Sequence, residues 1–196
     1  MKTSSPATRE RILQHGLDLM SRVGLSGVTL GTLADQAGMS KSGLFAHFGS
    51  KEEVQIGLLE RMVQTANGYV LEPAMQAAEG LPCLRALVLN WLGWSAKAGL
   101  SGGCPVAAGI FELDDIEGPV REHVLAMENH WRGVLKLFTL AAVERGHLSA
   151  DLDVDQFVWE LCGIYLSHHA SLRFVRDPLA DSRAHKAFES LVERSL

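Results

Sequence analysis

Between Gly38 and Ser50 the chain reads GMSKSGLFAHFGS. Ser40, Lys41, Ser42 and Gly43 place hydroxyls, an ammonium group and a bare backbone in consecutive positions. The segment therefore offers donors to phosphate oxygens and base edges with little steric bulk. Leu44 and Phe48 lie one helical turn apart and belong to an inward face. This is the chemistry of recognition. Patterns that would carry catalysis are missing: the chain has no His-Glu-x-x-His, no glycine-rich phosphate loop and no Gly-x-Ser-x-Gly. His168 and His169 are adjacent, about 100° apart around a helix, which suits chelation of a metal badly. Cys104, in SGGCPVAAG, precedes a helix start, where the dipole lowers a thiol's pKa and favours attack on oxidants or electrophiles. The same Gly-Gly-Cys-Pro also reads as a tight helix start with a small buried residue. Asp114, Asp115 and Glu117 read as a solvated acidic loop.

Composition narrows the partners. With 196 residues, 47% of them hydrophobic and 21% charged, the chain has the make-up of an ordinary globular protein. Its charge is unevenly placed. Residues 1–51 hold six Lys or Arg against three acids, which leaves twelve basic and twenty acidic groups to the remainder. A basic head on an acidic body directs the head toward an anion. The start, MKTSSPATRERIL, has no apolar signal core and no run reaches membrane-spanning length, so the expectation is a cytoplasmic protein with no membrane partner. Cys83, Cys104 and Cys162 are odd in number and far apart, which fits a reducing compartment.

These side chains must be held by helices, because apolar residues recur at helical spacing almost throughout and no alternating run demands a strand. The pattern predicts an all-α chain of about nine helices. The first runs from about Thr8 to Val23, with Ile12, Leu13, Leu17, Met20 and Val23 on one face and Gly24 as its stop. Thr29 caps a second, which Gly38 ends, and a third spans about Lys41 to His47. Ser50-Lys-Glu-Glu53 has capping-box spacing and opens a fourth along Val54, Leu58, Met62, Ala66 and Tyr69. A fifth carries CLRALVLNWLGW after Pro82, and a sixth covers Val106 to Leu113. The seventh runs from Gly118-Pro119 to Gly146 and the eighth from an Asp153 cap to near Arg176. A ninth holds Ala184, Phe188, Leu191 and Val192.

Two short helices joined by a tight glycine turn form a helix-turn-helix, whose second helix enters the major groove of DNA. Ala34 is small where the helices cross, Gly38 makes the turn, and Leu33, Leu44 and Phe48 face the first helix. The stretch TLGTLADQAGMSKSGLFAHFGSKEEV resembles the signature of the TetR family of bacterial transcriptional regulators. A Thr opens its second helix, an Ala-Gly pair marks the turn, and an aromatic-x-His-Phe cluster precedes the Lys that starts its fourth. The resemblance covers roughly residues 7 to 60, and the helix order downstream agrees with it. It implies a DNA-binding domain over residues 1–50 and a ligand-binding and dimerisation domain over 51–196. It further implies that Thr29, Thr32, Ser40, Lys41, Ser42, His47 and Lys51 contact a double-stranded operator, Thr29 and Lys51 on phosphates. Phe45 stands where the family commonly has tyrosine, so it packs or touches a thymine methyl instead of reaching a phosphate.

The acidic body reads in two ways. Its bulky residues, with glycines interspersed, build a core, and they can equally leave a cavity for a small apolar or aromatic effector. The resemblance implies that helices four to eight enclose that cavity. Tyr69, Trp91, Trp94, Phe111, Met127 and Trp131 are its candidate walls, with Asn90 and His123 as polar fixers. The eighth helix is apolar over more of its circumference than one core contact requires, and Gly163, Ser167 and Ala170 permit close approach. The resemblance implies that helices eight and nine form a two-fold dimer, with Phe157, Leu161, Ile164, Tyr165, His168, Leu172, Phe188 and Leu191 at the interface. The function expected is a repressor, without cofactor, metal or enzymatic activity, released from a palindromic operator by its effector. A repressor switched at Cys104 is the alternative within that architecture. A small helical enzyme, or a ligand-binding protein without DNA recognition, is the alternative from another class.

Overall fold

The structure, a computed structural model, describes residues 6–196; Lys2 of the basic head lies outside the described residues. Among those described, every regular element is helical: α1 (Pro6–Gly27), α2 (Leu30–Ala37), α3 (Lys41–Phe48), α4 (Lys51–Tyr69), α5 (Leu71–Ala74), α6 (Leu81–Trp91), α7 (Trp94–Lys97), α8 (Pro105–Glu112), α9 (Pro119–Glu144), α10 (Val154–Ala170) and α11 (Ala180–Glu193). The all-α expectation is what forms. The two helices not predicted, α5 and α7, are four residues each, too short to register as a 3.6-residue period.

Three boundaries differ from expectation for local reasons. Gly24 interrupts α1 as predicted, but at φ 72° and ψ 179°, so the chain kinks and one more turn follows to Gly27. The fifth predicted helix breaks at Leu92, which is extended, and Gly93, which takes φ 74°. This break lets Trp94 restart as α7 with its ring buried. The eighth predicted helix is α-helical only to Ala170. A π-helical turn, Ser171–Val175, follows, and Arg176 closes it at φ 59°.

The chain forms two compact units. One contains the described residues through Thr65 together with Ala98–Ala126; the other contains Ala66–Lys97 and Met127–Leu196. In the first, Ile12, Leu13, Leu17 and Met20 of α1 are buried with Leu33 and Ala34 of α2, Leu44 and Phe48 of α3, and Leu58, Leu59 and Met62 of α4. Burying each large apolar side chain contributes about 1.5–3 kcal/mol, so this face orders helices too short to persist alone. Gly16 lets α2 and α4 approach α1 closely, since a Cβ there would lie 2.6 Å from Leu58 Cδ2 and 2.9 Å from Leu33 Cδ1. The loop before α8 lies on α1: Ser101 N and Oγ donate to Asp18 Oδ1 at 2.8 and 2.6 Å, Gly102 N to Ser21 Oγ at 3.0 Å, and Gly103 N to the Ser21 carbonyl at 3.1 Å.

The second unit is organised by α10 and α11, which bury Phe157, Leu161, Cys162 and Tyr165 with Phe188, Leu191 and Val192. Asp153 caps α10 as predicted, Oδ1 accepting from Gln156 N at 3.0 Å. Arg85 of α6 makes a two-pronged ion pair with Glu189 of α11, with contacts of 2.8 to 3.2 Å. His147 Nδ1 accepts from Leu81 N at 3.1 Å and covers the start of α6.

Candidate nucleic-acid interface

The α2–α3 pair is built by its caps. Thr29 Oγ1 accepts from Thr32 N at 3.1 Å while Thr32 Oγ1 accepts from Thr29 N at 3.0 Å, a reciprocal box that fixes the start of α2. Gly38 ends the helix in the left-handed region, φ 63° and ψ 37°, and the following Met39 N donates to the Ala34 carbonyl at 3.0 Å. Nothing lies within 4 Å of a Cβ placed on Gly38, so the glycine serves the backbone turn and not packing. Ser40 then caps α3, its Oγ accepting from Gly43 N at 3.1 Å and lying 3.2 Å from Ser42 Oγ.

With Leu44 and Phe48 inward, the opposite face of α3 is open. Ser40, Lys41, Ser42 and Phe45 are exposed, as are Thr29, Thr32 and Lys51 on the flanking elements; His47 is half-buried. The eight residues singled out for DNA contact therefore share one short module, and seven are solvent-facing. The Lys41 side chain lies over α2: a Cβ on Gly31 would be 3.0 Å from its Cε and 3.2 Å from its Nζ. Arg9 secures the back of the module, its guanidinium 5.0 Å from the centre of the Phe48 ring. Ser50 Oγ accepts from Glu53 N at 3.1 Å at the mouth of α4, next to Lys51.

The candidate effector residues divide between the units. In the second unit Trp91 stacks on Tyr165 with ring centres 3.9 Å apart and meets Trp131 edge-on at 5.2 Å. Trp94 Nε1 donates to Tyr165 Oη at 3.1 Å. Trp131 Nε1 is a buried donor that meets no acceptor. Asn90 reaches the Val70 carbonyl at 3.5 Å, and Met127 is half-buried. Of the rest, Tyr69 and Phe111 are exposed, and Phe111 and the half-buried His123 belong to the first unit.

Comparison with known proteins places this arrangement. A family profile described as bacterial regulatory proteins, tetR family, matches residues 12–55, and one described as the tetracyclin repressor-like C-terminal domain matches residues 80–188, more than half of the chain. The chain belongs to the TetR family. It is thus a DNA-binding transcriptional regulator and not an enzyme. A nucleoid occlusion factor, SlmA, from Cronobacter sakazakii is 26% identical over 185 residues, 93% of either chain. A TetR transcriptional regulator from Chloroflexus aurantiacus superposes with a TM-score of 0.86 at 19% identity, covering 96% of each chain. AibR, solved in complex with isovaleryl coenzyme A and operator DNA, superposes with a TM-score of 0.72 at 18% identity, covering 96% of this chain and 97% of that one. These two structures share the fold.

The TetR assignment draws attention to the outer face of α10 and α11. Phe157, Leu161, Tyr165, His168, Phe188 and Leu191 are buried in the second unit, and His168 and Leu191 also line a groove between its last two helices. An apolar sequence stripe marks an inward face and does not say against what. What lies open is a groove of about 560 Å³ between α10 and α11, bordered by Trp159, Gly163, Ile164, Ser167, Ala187 and Arg194. Ile164 is half-buried and Leu172 exposed. At the groove's edge His168 Nε2 lies 2.7 Å from Asp181 Oδ1. Burial, with Arg173 and His168 adding repulsion, lowers the pKa of His169.

Cys104 is buried as the residue preceding α8, and Cys162 is buried in α10, where desolvation pushes its thiol up to about 11. Among the described residues no group of His, Cys, Asp and Glu assembles that would hold a metal. Sequence reasoning missed Asp18, Gln55 and Glu112, which tie the first unit together. The signal was available for one of them: Gln55 is a glutamine beside Val54 and Leu58 on the inward side of α4, and it is buried.

Proposed function

We propose that the protein is a homodimeric repressor that reads a palindromic operator with α3 and releases it when a small apolar or aromatic effector binds. Residues 1–50 form the DNA-binding domain, joined by Lys51 at the start of α4, and 51–196 otherwise serve the effector and the dimer. The observation that carries this reading is the exposed set Ser40, Lys41, Ser42 and Phe45 on a short helix that Leu44 and Phe48 anchor in the core with α1. Lys41 and Lys51 neutralise phosphates, the Thr29 and Thr32 hydroxyls add backbone contacts, and the serines approach base edges. A two-fold operator requires a two-fold protein, and the open α10–α11 groove, with Gly163 and Ser167 allowing close approach, is the surface that pairs.

The aromatic cluster supports the effector. Trp91, Trp131 and Tyr165 supply flat apolar surface, and the unpartnered Trp131 N–H suits an acceptor oxygen such as a carbonyl. A ligand that binds one conformation better shifts the population toward it, and operator affinity falls by the differential affinity. Cys104 as the switch is the weaker reading, because its thiol is buried and shielded from oxidants.

The test is binding of the purified protein to labelled duplex from upstream of its own gene and its neighbours, titrated with salt and unrelated competitor DNA. Site-selective binding that weakens steeply as salt rises is the expected result. Equal, weak binding to every sequence, with thiols reduced and no ligand present, overturns the proposal.

A further inference from the structure

Three helices converge on one residue just ahead of the helix-turn-helix. Leu25 lies in the last turn of α1, beyond the Gly24 kink. Its carbonyl accepts from Gln55 Nε2 of α4 at 2.6 Å, a buried bond, and also from Val28 N at 3.3 Å. Its N–H donates to Glu112 Oε1 at the end of α8 at 3.3 Å, and the next N–H, of Ser26, donates to Oε2 of the same carboxylate at 2.8 Å. The Leu25 side chain is fully buried, and Gly109 of α8 makes room for it: a Cβ there would lie 2.8 Å from Leu25 Cδ1. Gly24 is required twice, since its φ is +72° and any Cβ would overlap the Glu112 carboxylate.

This peptide is clamped from both sides by polar groups from elements far apart in sequence, at the point that sets where α2 begins. Leu25 is four residues from the Thr29 cap, and the Val28 N–H already turns back onto its carbonyl. A buried amide such as Gln55 and a carboxylate spanning two consecutive N–H groups hold a peptide in one position, which greasy packing alone does not. We propose that Gln55 and Glu112 are positioning residues for operator recognition: by fixing the Leu25 peptide they fix the placement of α2 and α3. The proposal rests on α3 being the operator-reading helix, and it adds residues that touch no DNA.

A positioning role and a purely stabilising one separate experimentally. The full-length protein and its Glu112→Ala, Gln55→Leu and milder Glu112→Gln variants are compared after thermal melts show which are folded. Affinity is measured at several salt concentrations on a duplex selected from a random library by the wild type, alongside amide hydrogen exchange over residues 25–48. Glu112→Ala and Gln55→Leu should bind about ten-fold more weakly, equivalent to about 1.4 kcal/mol. Their salt dependence should keep its slope, because the same phosphates are neutralised. Exchange should accelerate at Leu25, Ser26 and through α2. Glu112→Gln, which keeps one acceptor oxygen, should fall between. Folded variants that bind within two-fold of wild type, or that lose thermal stability with unaltered exchange in α2 and α3, overturn the clamp. If Glu112→Ala or Gln55→Leu fails to fold, Glu112→Gln is judged by the same criteria. Should the wild type select no duplex, the reading of α3 fails and the clamp does not fail with it. Exchange in the folded variants then decides alone, acceleration supporting the clamp and unchanged protection refuting it.

Discussion

Replacing Gly102 with alanine should be among the most damaging single-methyl additions to the first unit. A Cβ at Gly102 would overlap the Ser21 carbonyl and lie 2.6 Å from Arg22 N, both backbone atoms that no rotamer change can move. The Ser101–Gly103 loop must then lift from α1 and forfeit four hydrogen bonds, two of them to the Asp18 carboxylate. At about 0.5–1.5 kcal/mol each the loss spans about 2–6 kcal/mol. The Asp18 side chain is 41% exposed, so water replaces part of its share, and the lower half, about 2–4 kcal/mol, is the better figure. For a chain of this length that lowers Tm by about 5–15 °C. Gly133→Ala is the control: it sits inside α9 with nothing within 4 Å of its Cβ, and should gain about 0.5–1 kcal/mol.

The same variant carries a pH signature. Hydrogen bonds from Ser101, and then the charge of Arg22, hold the Asp18 carboxyl below the usual carboxylate range. A depressed folded pKa contributes stability that is present above the unfolded value of about 3.9 and is lost as pH falls through the folded one. Gly102→Ala removes the Ser101 contacts, so the gap between its Tm and that of the wild type should be wide at pH 6 and narrow below pH 4. Melts followed by circular dichroism at one fixed protomer concentration measure both. A variant melting with the wild type at pH 6, or a gap that stays constant down to low pH, refutes the reasoning.

Lys41→Ala should weaken operator binding and reduce the salt slope by about one, since it removes one phosphate contact, whereas Phe45→Ala should leave the slope unchanged. At pH 8 a disulfide-exchange reagent should modify half-buried Cys83 well before Cys162, whose thiol is buried and pushed up to about 11; mass spectrometry of the labelled chain reads the order. Ser167→Trp, which places a bulky side chain at an exposed position of the α10–α11 groove, should shift the protein toward monomer in analytical ultracentrifugation and weaken operator binding with it.

Caps and turns were the most legible features of the sequence. Thr29, Gly38, Ser50 and Asp153 do in the structure what their types and spacing predict, because each acts on backbone groups within four residues. The exposure of the residues on and beside α3 was legible in part. Leu44 and Phe48 mark the inward side of α3 and helical geometry turns Ser42 to the opposite one, while Ser40 and Lys41 are exposed at its open N-terminal end and Phe45 at its flank. What the apolar stripe of α10 packs against was not, because periodicity identifies an inward face without saying whether it meets a neighbouring helix or a second copy. Phe157, Leu161 and Phe188 meet neighbouring helices. Trp94 and Tyr165 were assigned to different roles, yet one hydrogen bond joins them across 71 positions of sequence. Local pattern carries no record of such a contact.

The glycines of the body teach the same lesson from the other side. Gly102 and Gly109 stand in a stretch whose glycines were read as leaving space for a ligand, and both instead mark places where the chain presses against α1. Absence of a side chain is compatible with a void or with a close approach, and only the neighbour decides which. Here the neighbours decide for approach, and the consequence is organisational. The loop at 101–103 meets Asp18 and Ser21, and Glu112 meets Leu25 and Ser26, so α8 is fastened to α1 at two points along its second half. The unit that presents α3 to DNA is thus assembled from two stretches of chain, and α8 must move with α1 or break charge-assisted hydrogen bonds. A change that reaches α8 therefore reaches the turn that starts α2 through bonds already made.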